Sequence, residues 1–214
     1  IGQADLFLAS RALNFVQKYE PDIPSVLCNL GIVNARIGQF DDALSFFARA
    51  LELAPNYNSA LFNYAVALTQ LERYEEATRL LQQLLALQPD HLGAHLQFAE
   101  ILRESGNILQ AVDYAQRAVA LAPGESNALT SLGNMLRDAG KLDEASEYFK
   151  RALLIQPNNA AAQLGLAFVY LLQERFAEGW PLYESRKKVL DSTERLIHFP
   201  EWDKQPLRDK TLLV

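Results

Sequence analysis

Asn29, Asn63 and Gln97 recur at one constant interval along the chain. A side-chain amide donates and accepts at once, so a regular file of amides can hold the backbone of an extended peptide without reading its side chains. The file lapses to Ser131 and Gly165 over the next two intervals. Two readings stand: a partial ladder for a bound chain, or the drift of a solvated face toward polar residues. A second constellation is the charged set Glu100, Arg103, Glu104, Arg137 and Asp138, whose opposite signs favour pairing among themselves across adjacent helices.

Catalytic chemistry finds no foothold in these repeats. His91, His95 and His198 lack metal-ligand spacing, and Cys28 stands alone, which fits a reducing compartment. There is no Gly-rich phosphate loop and no Ser/His/Asp set, and adjacent acids such as Glu75 and Glu76 point to different helix faces. A non-enzymatic chain with no cofactor and no metal is expected. The net charge is −6, with 20 basic residues interspersed among 26 acidic ones, which argues against a nucleic-acid partner. No apolar run has membrane-spanning length and no secretory signal opens the chain, so a cytoplasmic location without membrane contact is expected. Ile1 is not an initiator Met, so the natural N-terminus is expected to lie upstream.

The amides are positioned by a helical repeat. Pro21, Pro55, Pro89, Pro123 and Pro157 fall on one arithmetic series with the same step as the amides. The same register carries small residues at Ala43, Ala77, Ala111, Ala145 and Gly179, and large apolar ones at Leu30, Tyr64, Phe98, Leu132 and Leu166. A constant period of roughly 20–50 residues marks stacked units, none of which buries its apolar face alone. Each unit reads as two antiparallel helices, A and B. Gly38, Gly106 and Gly140 end helix A, whereas Glu72 and Glu174 stand there in the other repeats, so those turns are expected to close differently. Acidic residues open most B helices, where the helix dipole favours them, and the proline closes each unit.

These residues resemble the tetratricopeptide repeat, whose pattern sets Trp, Leu-Gly, Tyr, Ala, Phe, Ala and Pro at fixed places in a unit of the same length. The first full repeat supplies Leu27, Leu30-Gly31, Asn34, Ala43, Phe47, Ala50 and Pro55. The fourth supplies Leu129, Leu132-Gly133, Leu136, Ala145, Phe149, Ala152 and Pro157. The array is assigned to residues 1–190, with a partial repeat over 1–23 and full repeats from 24, 58, 92, 126 and 160. In the fifth, Pro181 is tolerable only close to the start of its B helix. The resemblance implies an all-α fold, a right-handed α-α superhelix or solenoid with the A helices lining a concave groove. It implies binding of a protein or peptide there.

By register, the groove residues are Asn29, Ile32, Arg36, Phe62, Asn63, Val66, Gln70, Gln97, Glu100, Arg103, Asn127, Thr130, Asn134 and Arg137. The amide file is similar to the asparagine ladder in the superhelix of the O-linked N-acetylglucosamine transferase family. Chaperone-binding members instead clamp a terminal carboxylate with Lys and Arg. The corresponding sites here hold Cys28, Ile32, Gly93 and Gln97, or Phe62, Val66, Asn127 and Ser131, without a cation.

Residues 191–214 lose the register, gain Pro200, Trp202 and Pro206, and end on Thr211-Leu212-Leu213-Val214, which reads as the start of a strand. The join over 175–214 resembles the linker of bacterial proteins in which such repeats precede a glycosyltransferase-like domain. That resemblance implies a recognition arm of a larger protein. The alternative is a scaffold that self-associates through this C-terminal segment, since an unpaired strand recruits another chain.

Overall fold

The computed structural model describes residues 22–184. The partial repeat assigned to residues 1–23 lies almost wholly outside them, as do residues 185–190 and the segment 191–214 with Trp202 and the strand expected at its end. Five helical hairpins make up the described chain. They are α1 (Pro24–Arg36) with α2 (Phe40–Leu53), α3 (Asn58–Gln70) with α4 (Tyr74–Leu87), and α5 (Leu92–Glu104) with α6 (Ile108–Leu121). Then come α7 (Ser126–Asp138) with α8 (Leu142–Ile155), and α9 (Ala160–Leu172) with α10 (Phe176–Tyr183). Odd-numbered helices are the A helices. Each packs on its own B helix, each B helix packs on the following A helix, and successive A helices touch one another. The result is an α-α superhelix stabilised by neighbour contacts.

Proline sets where B ends. Ala54, Gln88, Ala122 and Gln156 each precede a proline, and all four are extended, with φ between −132 and −139. The proline ring disfavours helical geometry in the residue before it, so the helix stops one residue earlier. Small residues set how closely A crosses B. Ala43, Ala77, Ala111 and Ala145 are completely buried, and Gly179 is buried in the last repeat. Leu27, Leu61, Leu129, Phe47 and Phe149 fill the space beside the crossings. The core falls into two clusters, one centred on α1–α5 and one on α6–α9, and Tyr114 of α6 packs against both.

The A-to-B turns close in one way throughout, contrary to the expectation for Glu72 and Glu174. Gly38, Gly106 and Gly140 take φ of 82, 77 and 75, and Glu72 and Glu174 take φ of 58 and 61. The next amide reaches back to the same carbonyl in every repeat: Gln39 to Asn34, Arg73 to Leu68, Asn107 to Leu102, Lys141 to Leu136 and Arg175 to Tyr170. Packing of the flanking helices therefore imposes the left-handed conformation, and the glutamates accept a strain of roughly 1–2 kcal/mol. Glu72→Gly should relieve it and stabilise the array by about 0.5–1 kcal/mol, after the larger entropy of glycine in the unfolded chain is offset. A urea-unfolding midpoint that fell on this substitution would contradict the account.

The last hairpin departs from the others. Its helix α10 has 8 residues against 14 in the earlier B helices, and Pro181 lies inside it as the sixth residue. Without an N–H, Pro181 cannot bond the carbonyl one turn back, and the helix ends two residues later.

Candidate peptide-binding surface

The sixth residue of each A helix forms the amide file. Asn29 is exposed, and Asn63 and Gln97 are half-buried. Asn63 donates through Nδ2 to the Ser59 carbonyl at 2.8 Å, which leaves its Oδ1 as an acceptor. Neither Asn29 nor Gln97 has a hydrogen-bond partner among the described residues, so both offer donors and acceptors to a ligand. The file stops at Gly165 for a steric reason. A Cβ there would sit 2.4 Å from the Phe149 ring, so no side chain fits at this end of the row without a shift.

Beside Asn63, α1, α2 and α3 enclose a cleft of about 300 Å3. Its lining unites Ile32 and Arg36 of α1 with Asn63, Val66 and Gln70 of α3, five of the residues expected from register. Phe40 and Phe47 of α2 complete the wall. Neither ring is among the groove residues expected from register.

At Cys28, Phe62 and Thr130 the fifth residue of helix A makes contacts toward the next repeat. The Phe62 ring lies 5.0 Å from the His91 ring and so close to Gly93 that a Cβ there would fall 2.8 Å away. Thr130 is 5% exposed; its hydroxyl donates to the Ser126 carbonyl at 2.7 Å and accepts from Asn159 Nδ2 at 3.2 Å. Cys28 is fully buried, with its Sγ 3.6 Å from the Ser59 Oγ, and burial pushes its thiol above the usual range. In all three repeats the side chain packs on the start of the next A helix. The fifth position is a junction between repeats.

Two buried polar devices reinforce these junctions. Asn159 caps α9 by accepting from the Ala162 amide at 3.0 Å, while its Nδ2 donates to Ser126 Oγ at 2.8 Å and to Thr130. Ser126 Oγ in turn donates to the Ala152 carbonyl. Two junctions earlier, His91 caps α5 through Nδ1, and His95 Nε2 sits 2.8 Å from the Pro89 carbonyl.

The charged set pairs as its residue types suggest. Arg103 bonds Glu100 at 2.6 Å, also pairs with Glu104, and reaches across to Asp138 of α7 at 3.5 Å. Arg137 holds Asp138 at 2.8 Å and Asn134 at 3.3 Å, and its guanidinium lies 5.8 Å from the centre of the Phe168 ring. Its hydrogen bond to Glu100, more than any other neighbour, holds the Arg103 guanidinium above its ordinary range. Both arginines in the middle of the A-helix face are thus paired with carboxylates of the same set. Asn127 remains exposed nearby, and beyond Arg137 the surface turns apolar, with Phe168 and Leu172 exposed on α9.

Among the described residues no cluster of His, Cys, Asp and Glu could hold a metal ion. No described helix is long and apolar enough to cross a membrane.

Comparison with known proteins agrees with this architecture. A model described as "Tetratricopeptide repeat" matches residues 38–91 and 68–134, another of the same description matches 3–58, and one described as "TPR repeat" matches 133–173. A thermophilic TPR protein of Thermus thermophilus, TTC0263, superposes with a TM-score of 0.68 at 24% identity, covering 80% of this chain and 92% of that one. YrrB, described as a TPR protein with an unusual peptide-binding site, gives 0.61 at 20% identity, covering 86% and 95%. The APC/C hetero-tetramer Cut9–Hcn1 gives 0.80 at 19% identity, over 89% of this chain and 37% of that one. At such identities the likeness concerns the fold. No curated protein matches the sequence.

Proposed function

The chain belongs to the tetratricopeptide repeat family, and from that premise we propose that it is a non-enzymatic interaction module holding an extended peptide segment along its A helices. The observation that carries this reading is the file of Asn29, Asn63 and Gln97, of which Asn63 lines a cleft that also holds Ile32, Val66, Phe40 and Phe47. The amides hold a backbone in any sequence, and the cleft accepts a side chain from it. YrrB, with its peptide-binding site, offers a parallel on the same fold.

Replacing Asn29, Asn63 and Gln97 together by Ala tests the reading. Peptides selected on the parent array from a random library would be titrated against both proteins. Binding should weaken by roughly 1–3 kcal/mol, mostly through Asn29 and Gln97, while the helical melt stays unchanged. Equal affinity would remove the ladder and favour a self-associating scaffold.

The finer reading places this module, in the cytoplasm, as the substrate arm of a glycosyltransferase-like protein. Its support is the resemblance of residues 175–214 to such linkers. The reading frame after Val214 decides it: a sugar-transferring domain is expected, and any unrelated continuation overturns it.

A further inference from the structure

The cleft beside Asn63 has a chemical character that a backbone-holding groove alone does not require. Its inner wall is apolar, from Ile32, Val66, Phe40 and Phe47. A volume of about 300 Å3 suits one or two bulky side chains, at the bottom of the range for small-ligand pockets (roughly 300–1,000 Å3). At its rim stands Arg36, exposed and in the last turn of α1. Arg103 and Arg137, in the last turns of α5 and α7, are both tied to carboxylates. Arg36 has no acidic partner among the described residues. Gln70, also exposed, lines the same cleft as a neutral donor.

We infer that the module selects, within the peptide it holds, a bulky apolar residue followed closely by an acidic one. This inference rests on the groove reading above and names its ligand class. The apolar side chain enters the cleft, where it exchanges water for Ile32, Val66 and the two phenylalanine rings. The carboxylate that follows meets Arg36, whose planar guanidinium can bind it through two parallel hydrogen bonds. Selection of acidic partners works against the bulk charge of −6, so it has to come from this local cation. An internal aspartate or glutamate is the source rather than a chain terminus. A terminal carboxylate is held by several converging cations, and here one guanidinium serves.

The test uses the whole chain, isotopically labelled, with four synthetic nonapeptides followed by amide chemical-shift titration. All share a Gly-Ser frame blocked at both ends except where stated. One carries Leu-Phe-Asp at its centre, the second Leu-Phe-Lys, the third Ala-Ala-Asp, and the fourth Leu-Phe at a free C-terminus without Asp. The Leu-Phe-Asp peptide should shift Ile32, Arg36 and Val66 and bind about three- to fivefold more tightly than its Lys counterpart. Ala-Ala-Asp should lose most of this binding, and the free-terminus peptide should bind no better than the Lys peptide.

In Arg36→Glu the preference between Asp and Lys should reverse with an unchanged melt, as expected for an exposed side chain. A preference unaffected by Arg36→Glu, or tightest binding of the free terminus, would overturn the inference. Shifts confined to Asn29, Asn63 and Gln97 would also overturn it while leaving the amide groove intact. Absence of shifts with all four peptides would remove both.

Discussion

Phe149→Ala should lower the stability of the array by about 3–5 kcal/mol, the largest single-residue loss expected in this fold. Phe149 is completely inaccessible, and its ring is pressed between two glycines. A Cβ at Gly133 would lie 2.7 Å from the ring, and one at Gly165 2.4 Å. Without the ring, the cavity is walled on two sides by backbone, which relaxes less readily than side chains can. The cost therefore sits near the upper part of the range for aromatic truncation. Because neighbour contacts carry stability in a repeat array, the loss should concentrate in the last two hairpins and broaden the urea transition. A double-mutant comparison sharpens the test. Gly165→Ala should destabilise the parent yet be nearly neutral in the Phe149→Ala background, where the space is empty. Additive losses would show that the ring does not occupy the gap between these helices.

Asn159→Ala is expected to cost about 2–4 kcal/mol, whereas the adjacent exposed Asn158→Ala should change little. Asn159 serves three partners at once: the Ala162 amide, the Ser126 hydroxyl and the Thr130 hydroxyl. Alanine loses the cap on α9 and leaves the Ala162 amide without its side-chain acceptor in a buried setting. The two hydroxyls keep their bonds to the Ala152 and Ser126 carbonyls, which limits the damage on the other side. Since the network bridges the fourth and fifth hairpins, α9 and α10 should gain amide hydrogen exchange before the rest of the array. Equal effects of the two substitutions in a thermal melt would reduce the network to incidental contacts.

The periodic part of the fold was legible in the residues themselves. A proline recurring at one fixed step stops the first four described B helices, because the ring disfavours helical geometry just before it. Alanine or glycine at each crossing admits the close approach of A and B. These causes are local to one hairpin and recur with it, so one register accounts for the first four described hairpins, and the fifth departs from it at Pro181. The same register assigned Asn29, Asn63 and Gln97 to a single row, because equivalent residues of identical units lie on one line along the stack.

Relations between hairpins belonged to the tertiary structure. Register alone placed the fifth and sixth residues of helix A side by side on the groove. Packing gives Phe62, Cys28 and Thr130 contacts with the start of the next A helix, while Asn29 and Gln97 have no hydrogen-bond partner among the described residues. Glu72 and Glu174 were expected to break the turn pattern, and the flanking helices force them into the geometry of glycine. The cleft is a third case, since residues of α1, α2 and α3 line it together. A repeat period specifies what every hairpin shares. The contacts between hairpins are made by the residues that differ, and their outcome is decided only when two neighbouring surfaces meet.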